Sequence, residues 1–98
     1  MTTMHPGEYL AMSYVEPYNI SQIELSAGLG LPLPDIERLL AEEIELTAEM
    51  ALRLELAFDR SAASWLTMQA EHSLMQARKK VDPDSVRRFA LPLRVGVA

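Results

Sequence analysis

The 98-residue chain has no cysteine. A disulfide framework and thiolate metal sites are therefore excluded, and an intracellular, cytoplasmic location is expected. Long apolar runs are missing too: nothing approaches the ~20 residues that span a bilayer, so no membrane partner is expected. The opening MTTMHPGEY lacks the basic-then-apolar layout of a secretory signal. There is no phosphate-binding glycine loop and no nucleophile motif. His5 has no second histidine nearby in the chain, and His72 has no ligand partner at helical spacing. The expectation is of a protein that is not an enzyme, binds no metal and carries no cofactor. Excess positive charge is the last absence. The net charge is −5, the wrong sign for a chain whose affinity would come from neutralising phosphates.

What is present reads as one small globular domain. Hydrophobic residues make up 49% of the chain and charged ones 23%, interspersed, which is the composition of a folded rather than a disordered chain. The length suffices for one core and not for two. Charge is unevenly spread: residues 1–30 carry −3, residues 31–49 carry −5, residues 50–60 balance to zero, and residues 61–98 carry +3. Such asymmetry points to attraction within or between chains, or to different partners for different faces.

Helix signals recur along the chain. His5-Pro6-Gly7-Glu8 is a helix start, with His5 as an N-cap or surface residue, Pro6 in the first turn and Glu8 near the positive dipole end. Leu10, Tyr14 and Val15 supply its apolar stripe, and Pro17 and Asn19 are expected to end it. Ser21 with Glu24 three residues later forms a capping box, and Ile20 is the staple residue before it. The helix so opened runs to Gly28 or Leu29, and Gly30 supplies a turn at positive φ. Pro32 or Pro34 opens the next helix, in which Ile36, Leu39 and Leu40 face the core while Asp35, Glu37 and Arg38 stay outside. Ser21 to Leu40 is thus laid out as a helix-turn-helix, whose first helix crosses a DNA backbone and whose second enters the major groove.

Thr47 caps a fourth helix with Met50, Ala51, Leu54, Ala57 and Phe58 inside. After a break at Asp59-Arg60, Ser61 or Ser64 starts the longest helix. Its expected buried face is Ala62, Trp65, Leu66, Gln69, Ala70, Ser73, Leu74 and Ala77. Arg78, Lys79 and Lys80 close it at the negative end of the dipole. Trp65 is expected in the core against the first helix; the competing place for it, with Leu66 and Met68, is a dimer interface. Met50, Met68 and Met75 read as core or interface filler. Asp82-Pro83 breaks the chain again, and the remainder reads as an irregular tail or a segment docked on a partner or a second protomer.

The run HPGE at His5–Glu8, Ile20-Ser21-Gln22, Glu24-Leu25, Leu29-Gly30 and Pro32, then Ala51-Leu52-Arg53-Leu54, Ala57-Phe58, Trp65-Leu66 and Gln69-Ala70, is a specific combination. It resembles the HigA/VapI-type antitoxins of the Xre-like helix-turn-helix family, which shares the lambda-repressor-like DNA-binding fold. The match runs without gaps from His5 to about Lys79, some three quarters of the chain. The resemblance implies an all-α, five-helix lambda-repressor-like helix-turn-helix domain over residues 5–80, with a short irregular C-terminal tail over residues 81–98. It implies a homodimer that binds double-stranded DNA at an operator upstream of its own operon and neutralises a small basic toxin protein. That toxin is often an mRNA-cleaving ribonuclease. In this pattern the motif's first helix begins at Gln22, its small tight-packing position is Ser26 and its turn glycine is Gly30.

The departures from the pattern fall where DNA would lie. A typical member reads polar and basic residues into the second helix of the motif and Asn-Gly-Lys-Arg-Gly before the fourth helix. Here the stretch is Leu33, Pro34, Asp35, Ile36, Glu37, Arg38, and later Ala41, Glu42, Glu43, Ile44, Glu45. Each reversal of charge removes an attraction to phosphate and adds a repulsion. The candidate DNA-binding residues are Gln22, Leu33, Pro34, Glu37 and Arg38, with Glu37 suited to cytosine N4 and Arg38 to guanine.

Two functions fit these residues. One is an autorepressing regulator of the antitoxin type, a dimer on half-sites about one helical turn apart. The other is a protein-interaction module of the same fold that has lost DNA binding and meets a basic partner with its acidic face. Arg78, Lys79 and Lys80 supply phosphate contacts in the first reading, or simply complement the end of their helix. Glu42, Glu43 and Glu45 are expected to have no histidine beside them and no pocket, which leaves them as a solvated face.

Overall fold

The structure, a computed structural model, describes residues 3–92. The first helix, α1, occupies residues 6–18 in three stretches: α-helical at Pro6–Leu10, π-helical at Ala11–Val15 and α-helical again at Glu16–Tyr18. His5 caps it, the Gly7 N–H donating to its Nδ1 at 2.9 Å. Pro17 does not stop the helix, against the sequence expectation. Proline has no N–H to give, and its ring crowds the carbonyl four residues back. The helix widens just ahead of it, the Glu16 N–H donating to the Ala11 carbonyl five residues back. The stop comes at Asn19, in the left-handed region at φ 55°.

The next four helices obey the capping signals. Helix α2 is Gln22–Leu29, started by Ser21, whose Oγ accepts from the Glu24 N–H at 3.1 Å. It ends at Gly30, left-handed with φ 68°. Helix α3 is Leu33–Leu40, entered from Pro32 with Pro34 in its first turn. Helix α4 is Ala48–Phe58, started by Thr47, whose Oγ1 accepts from the Met50 N–H at 3.2 Å. Helix α5 is Ala62–Lys80, started by Ser61, whose Oγ accepts from the Ser64 N–H at 3.1 Å. Beyond it lies a single 3₁₀ turn at Pro83–Ser85, and residues 81–92 are all exposed. The expected tail extends past the described residues.

The core lies where α1, the α2–α3 pair and α4 meet α5. Ile36 and Leu39 of α3, Leu25 and Leu29 of α2, and Leu54 of α4 are buried there. Trp65 is 0% exposed, with its ring edge-on to Tyr9 at 5.5 Å between centroids. Arg60 donates from Nη1 to the Tyr9 hydroxyl at 2.8 Å and lies 4.5 Å from the centre of that ring. Trp65 therefore joins α5 to α1 inside the domain, and the dimer-interface alternative for it falls.

Helices α4 and α5 form an antiparallel hairpin. At its closed end the Glu55 carboxylate accepts from the Ala62 N–H at 2.7 Å. Further along, Gln69 Oε1 accepts from the Leu46 N–H at 2.8 Å, and the Ser73 hydroxyl donates to Glu45 at 3.2 Å. Helix α4 has 11 residues and α5 has 19, so the last turns of α5 have no helix beside them. Ala70, Leu74 and Ala77, expected inside, are exposed, and so is Ala57 of α4. The apolar stripe is wider and longer than α4 and α1 cover.

Candidate nucleic-acid interface

Three contacts fix the angle between α2 and α3. Within the turn, the Ser26 hydroxyl donates to the Leu31 carbonyl, and Leu31 is itself buried. From α4, Arg53 donates Nη1 to the Leu29 carbonyl at 3.0 Å and Nε to the Glu49 carboxylate at 3.4 Å. The first of these bonds satisfies a carbonyl that the end of α2 leaves without a helical partner. From α1, the backbone of Gly7 lies on the end of α3. A Cβ placed there would be 2.9 Å from the Leu39 carbonyl carbon and closer still to its oxygen. The helix-turn-helix unit is therefore held from both sides.

Helix α3 buries Ile36 and Leu39, which leaves its opposite face open. Pro34, Glu37 and Arg38 are exposed and, at i, i+3 and i+4, share that face. Leu33 is half-buried at its edge, and Gln22 is exposed as the first residue of α2. The fold thus gathers Pro34, Glu37 and Arg38, with Leu33 beside them, and puts Gln22 on the other helix of the unit.

The acidic loop after α3 is not a plain solvated face, and here the sequence expectation is corrected. Glu42, Glu43 and Glu45 line a cleft of about 310 Å³ together with His5, His72 and Lys80. The two histidine rings meet edge-on, 5.1 Å apart. Residues 67 positions apart in sequence are neighbours because α1 and α5 both pack on this loop. His5 Nδ1 accepts from Gly7 while Nε2 lies 3.0 Å from the Ile44 carbonyl. That pair of bonds requires the neutral ring with its proton on Nε2. Burial lowers the His5 pKa, against an opposing upward pull from the Ile44 hydrogen bond, with the His72 ring lowering it further. Among the described residues no group of three or more histidine, aspartate or glutamate side chains is arranged to hold a metal ion. The cleft's character is instead mixed charge, with Lys80 at the end of α5 brought to the loop beyond α3.

Sequence reasoning missed two participants here. Arg53 carried no signal, because its partner Leu29 lies 24 residues away. The meeting of His5 with His72 is likewise a product of tertiary packing. No helix among the described residues is long and apolar enough to cross a membrane.

No family model matches the chain. The virulence-associated protein I of Dichelobacter nodosus is 35% identical over 79 residues, which covers 81% of this chain and 73% of that protein. Among solved structures, the antitoxin GraA superposes with a TM-score of 0.84 at 30% identity, covering 91% of this chain and 99% of that one. The Pseudomonas aeruginosa antitoxin HigA, solved with the higBA promoter, superposes with a TM-score of 0.77 at 30% identity, covering 83% and 97%. Identity at this level, spread over most of both chains and joined to a shared two-helix unit, places the chain in the helix-turn-helix family of the HigA- and GraA-type antitoxins and the virulence-associated protein I.

Proposed function

We propose that this protein is a DNA-binding transcriptional regulator of the antitoxin type. It acts as a homodimer that represses its own operon and also binds a small basic toxin protein. The observation that carries the proposal is the open face of α3 on a helix-turn-helix unit braced from α1 and α4. Relatives of the same fold support it, since HigA was solved with its promoter and GraA in complex with its operator. In this reading Glu37 accepts from cytosine N4, Arg38 donates to guanine, and Leu33 and Pro34 offer apolar contacts to thymine methyl groups. Gln22, at the start of α2, binds at the groove edge. Residues 5–80 are the helix-turn-helix domain of this reading and residues 81–98 its C-terminal tail, and the protein works in the cytoplasm.

A second reading is favoured by one observation, the six acids against one base between residues 31 and 49. In it the same fold meets a basic protein and no longer meets DNA. A salt-titrated mobility shift on the DNA upstream of the gene separates the two. The proposal expects a specific shift whose affinity falls steeply with salt, the mark of phosphate neutralisation. Absence of any sequence-specific shift at about 50 mM salt, where counterion release most favours association, would end it. Co-purification of a small basic protein with the tagged chain is the expected sign of the toxin partner.

A further inference from the structure

The acidic loop between α3 and α4 is tied down from two helices. From α5, Gln69 accepts from the Leu46 N–H at 2.8 Å and Ser73 donates to Glu45 at 3.2 Å. From the start of α1, His5 Nε2 donates to the Ile44 carbonyl at 3.0 Å. Of these three side chains only the imidazole changes its charge near neutral pH, since an amide and a hydroxyl do not titrate there. His5 is 4% exposed, and among the described residues it is the only buried side chain that titrates.

Its two bonds admit one protonation state. Nδ1 must keep its lone pair to accept the Gly7 N–H at 2.9 Å, and Nε2 must carry the proton given to Ile44. A second proton would make Nδ1 a donor aimed at a donor. The ring against it, His72 of α5, stands edge-on at 5.1 Å and offers no negative charge to hold a cation in place. The charged groups lie further out. Glu8 on α1, Glu42, Glu43 and Glu45 on the loop, and Lys80 on α5 are all exposed. Helix α3 presents the backbone of Leu39, against Gly7.

We propose that His5 is a proton-operated latch between α1 and the loop that follows the reading helix. As the neutral ring it fastens Gly7 over the end of α3 and holds Ile44. As the cation it leaves Gly7 and turns out toward the carboxylates of Glu42, Glu43 and Glu45, which line the same cleft. Helix α3 then loses its brace from α1, while the hold of Arg53 on the Leu29 carbonyl remains. Burial lowers the His5 pKa from the usual 6.5, the Ile44 bond pulling it up and the His72 ring adding to the fall. The latch is therefore closed at neutral pH and opens only as pH falls through that lower value.

Charge alone predicts the opposite effect on DNA. Acidification adds positive charge to the chain, which strengthens its attraction to phosphate. The latch makes operator affinity fall instead. The test follows the isotope-labelled whole chain by NMR between about pH 7.5 and about pH 5, the range in which a histidine titrates. The Gly7 amide and the Glu45 amide, which follows the Ile44 carbonyl, are expected to move with the His5 ring protons at one midpoint below 6.5. In His5→Asn, which keeps a cap acceptor without titrating, both are expected to stay still. Over the same range wild-type operator affinity is expected to fall about 5–10-fold, the worth of one hydrogen bond, and that of His5→Asn to hold or rise.

Amides at Gly7 and Glu45 that do not follow the His5 ring would overturn the latch, a result that needs only the wild type. So would the same titration persisting in His5→Asn, or an operator affinity that rises on acidification in both proteins. The operator measurement rests on the repressor reading, and the NMR titration does not. Coupled titration in a chain that binds no operator at any pH supports the latch and removes that reading. Operator binding without coupled titration does the reverse.

Discussion

Replacing Gly7 by alanine tests the central packing contact of the fold, because the same substitution at Gly28 serves as its control. A methyl group at Gly7 would sit 2.9 Å from the Leu39 carbonyl carbon and closer still to the oxygen. Unstrained contacts between non-bonded heavy atoms are about 3.5–4.0 Å, and the oxygen is the nearer atom, so α1 and the end of α3 must move apart by more than about one ångström. Both sides of the contact are helix backbone, which yields less readily than a side chain. Overpacking of this kind costs about 1–3 kcal/mol, and the upper end applies to backbone. Alanine's better helix propensity returns ~1 kcal/mol. The net expected loss is ~2 kcal/mol, which for a domain of this size lowers Tm by roughly 8–16 °C.

At Gly28 nothing lies within 4 Å of an added Cβ, and only the propensity term remains. Gly28→Ala is expected to raise Tm by a few degrees, from a gain of at most ~1 kcal/mol. Thermal and urea unfolding monitored by circular dichroism, at one protein concentration throughout, measure both. A Gly7→Ala protein that melts at or above the wild type would refute the packing argument. So would a Gly28→Ala protein that falls as far.

Trp65→Ala is expected to cost ~3–5 kcal/mol, since it empties the joint between α1 and α5. Trp65→Phe should cost much less, because the indole N–H has no hydrogen-bond partner among the described residues to lose; equal losses in urea unfolding would contradict this. Arg53→Met keeps the aliphatic stem but removes the bond to Leu29, with an expected cost of ~1 kcal/mol and faster amide exchange at Gly30 and Leu31. Unchanged exchange there would mean that the turn does not depend on Arg53. For His5, burial holds the folded-state pKa below the usual 6.5, so the unfolded chain takes up a proton more readily than the native one. The neutral ring's contribution to stability is complete above pH 6.5 and is lost as pH falls through the folded-state value. His5→Asn keeps a cap acceptor without titrating in this range and should flatten that part of the pH dependence; an unchanged slope would rule His5 out as its source.

The local rules of the chain were legible because they act over a few residues. Ser21, Thr47 and Ser61 each cap the helix they precede, and Gly30 takes up the left-handed turn, as the sequence expects. The buried pair Ile36 and Leu39 and the burial of Trp65 come from helical spacing alone. Pro17 defeated the local rule, because a helix can widen by one residue per turn and pass through a proline when the surrounding packing holds it. Ala57, Ala70, Leu74 and Ala77 defeated the periodicity rule. An apolar stripe predicts that something covers it, and among the described residues nothing covers these four positions. The face of α3 was readable as exposed, but its brace was not. Arg53 reaches the Leu29 carbonyl, and His5 lies beside Ile44 and His72, only after the helices have met.

Helix α1 precedes in sequence every element that houses it. Its supports are Leu39 and Ile44 at the far side of the two-helix unit, Arg60 after α4, and Trp65 in the opening turn of α5. On a ribosome, Tyr9, Leu10 and Tyr14 therefore wait unshielded until nearly two thirds of the chain has emerged, and a chain halted between α4 and α5 would hold every residue of the reading unit without Trp65 to seat α1 behind it. The seat of α1 is complete only once the opening turn of α5, with Trp65, is present.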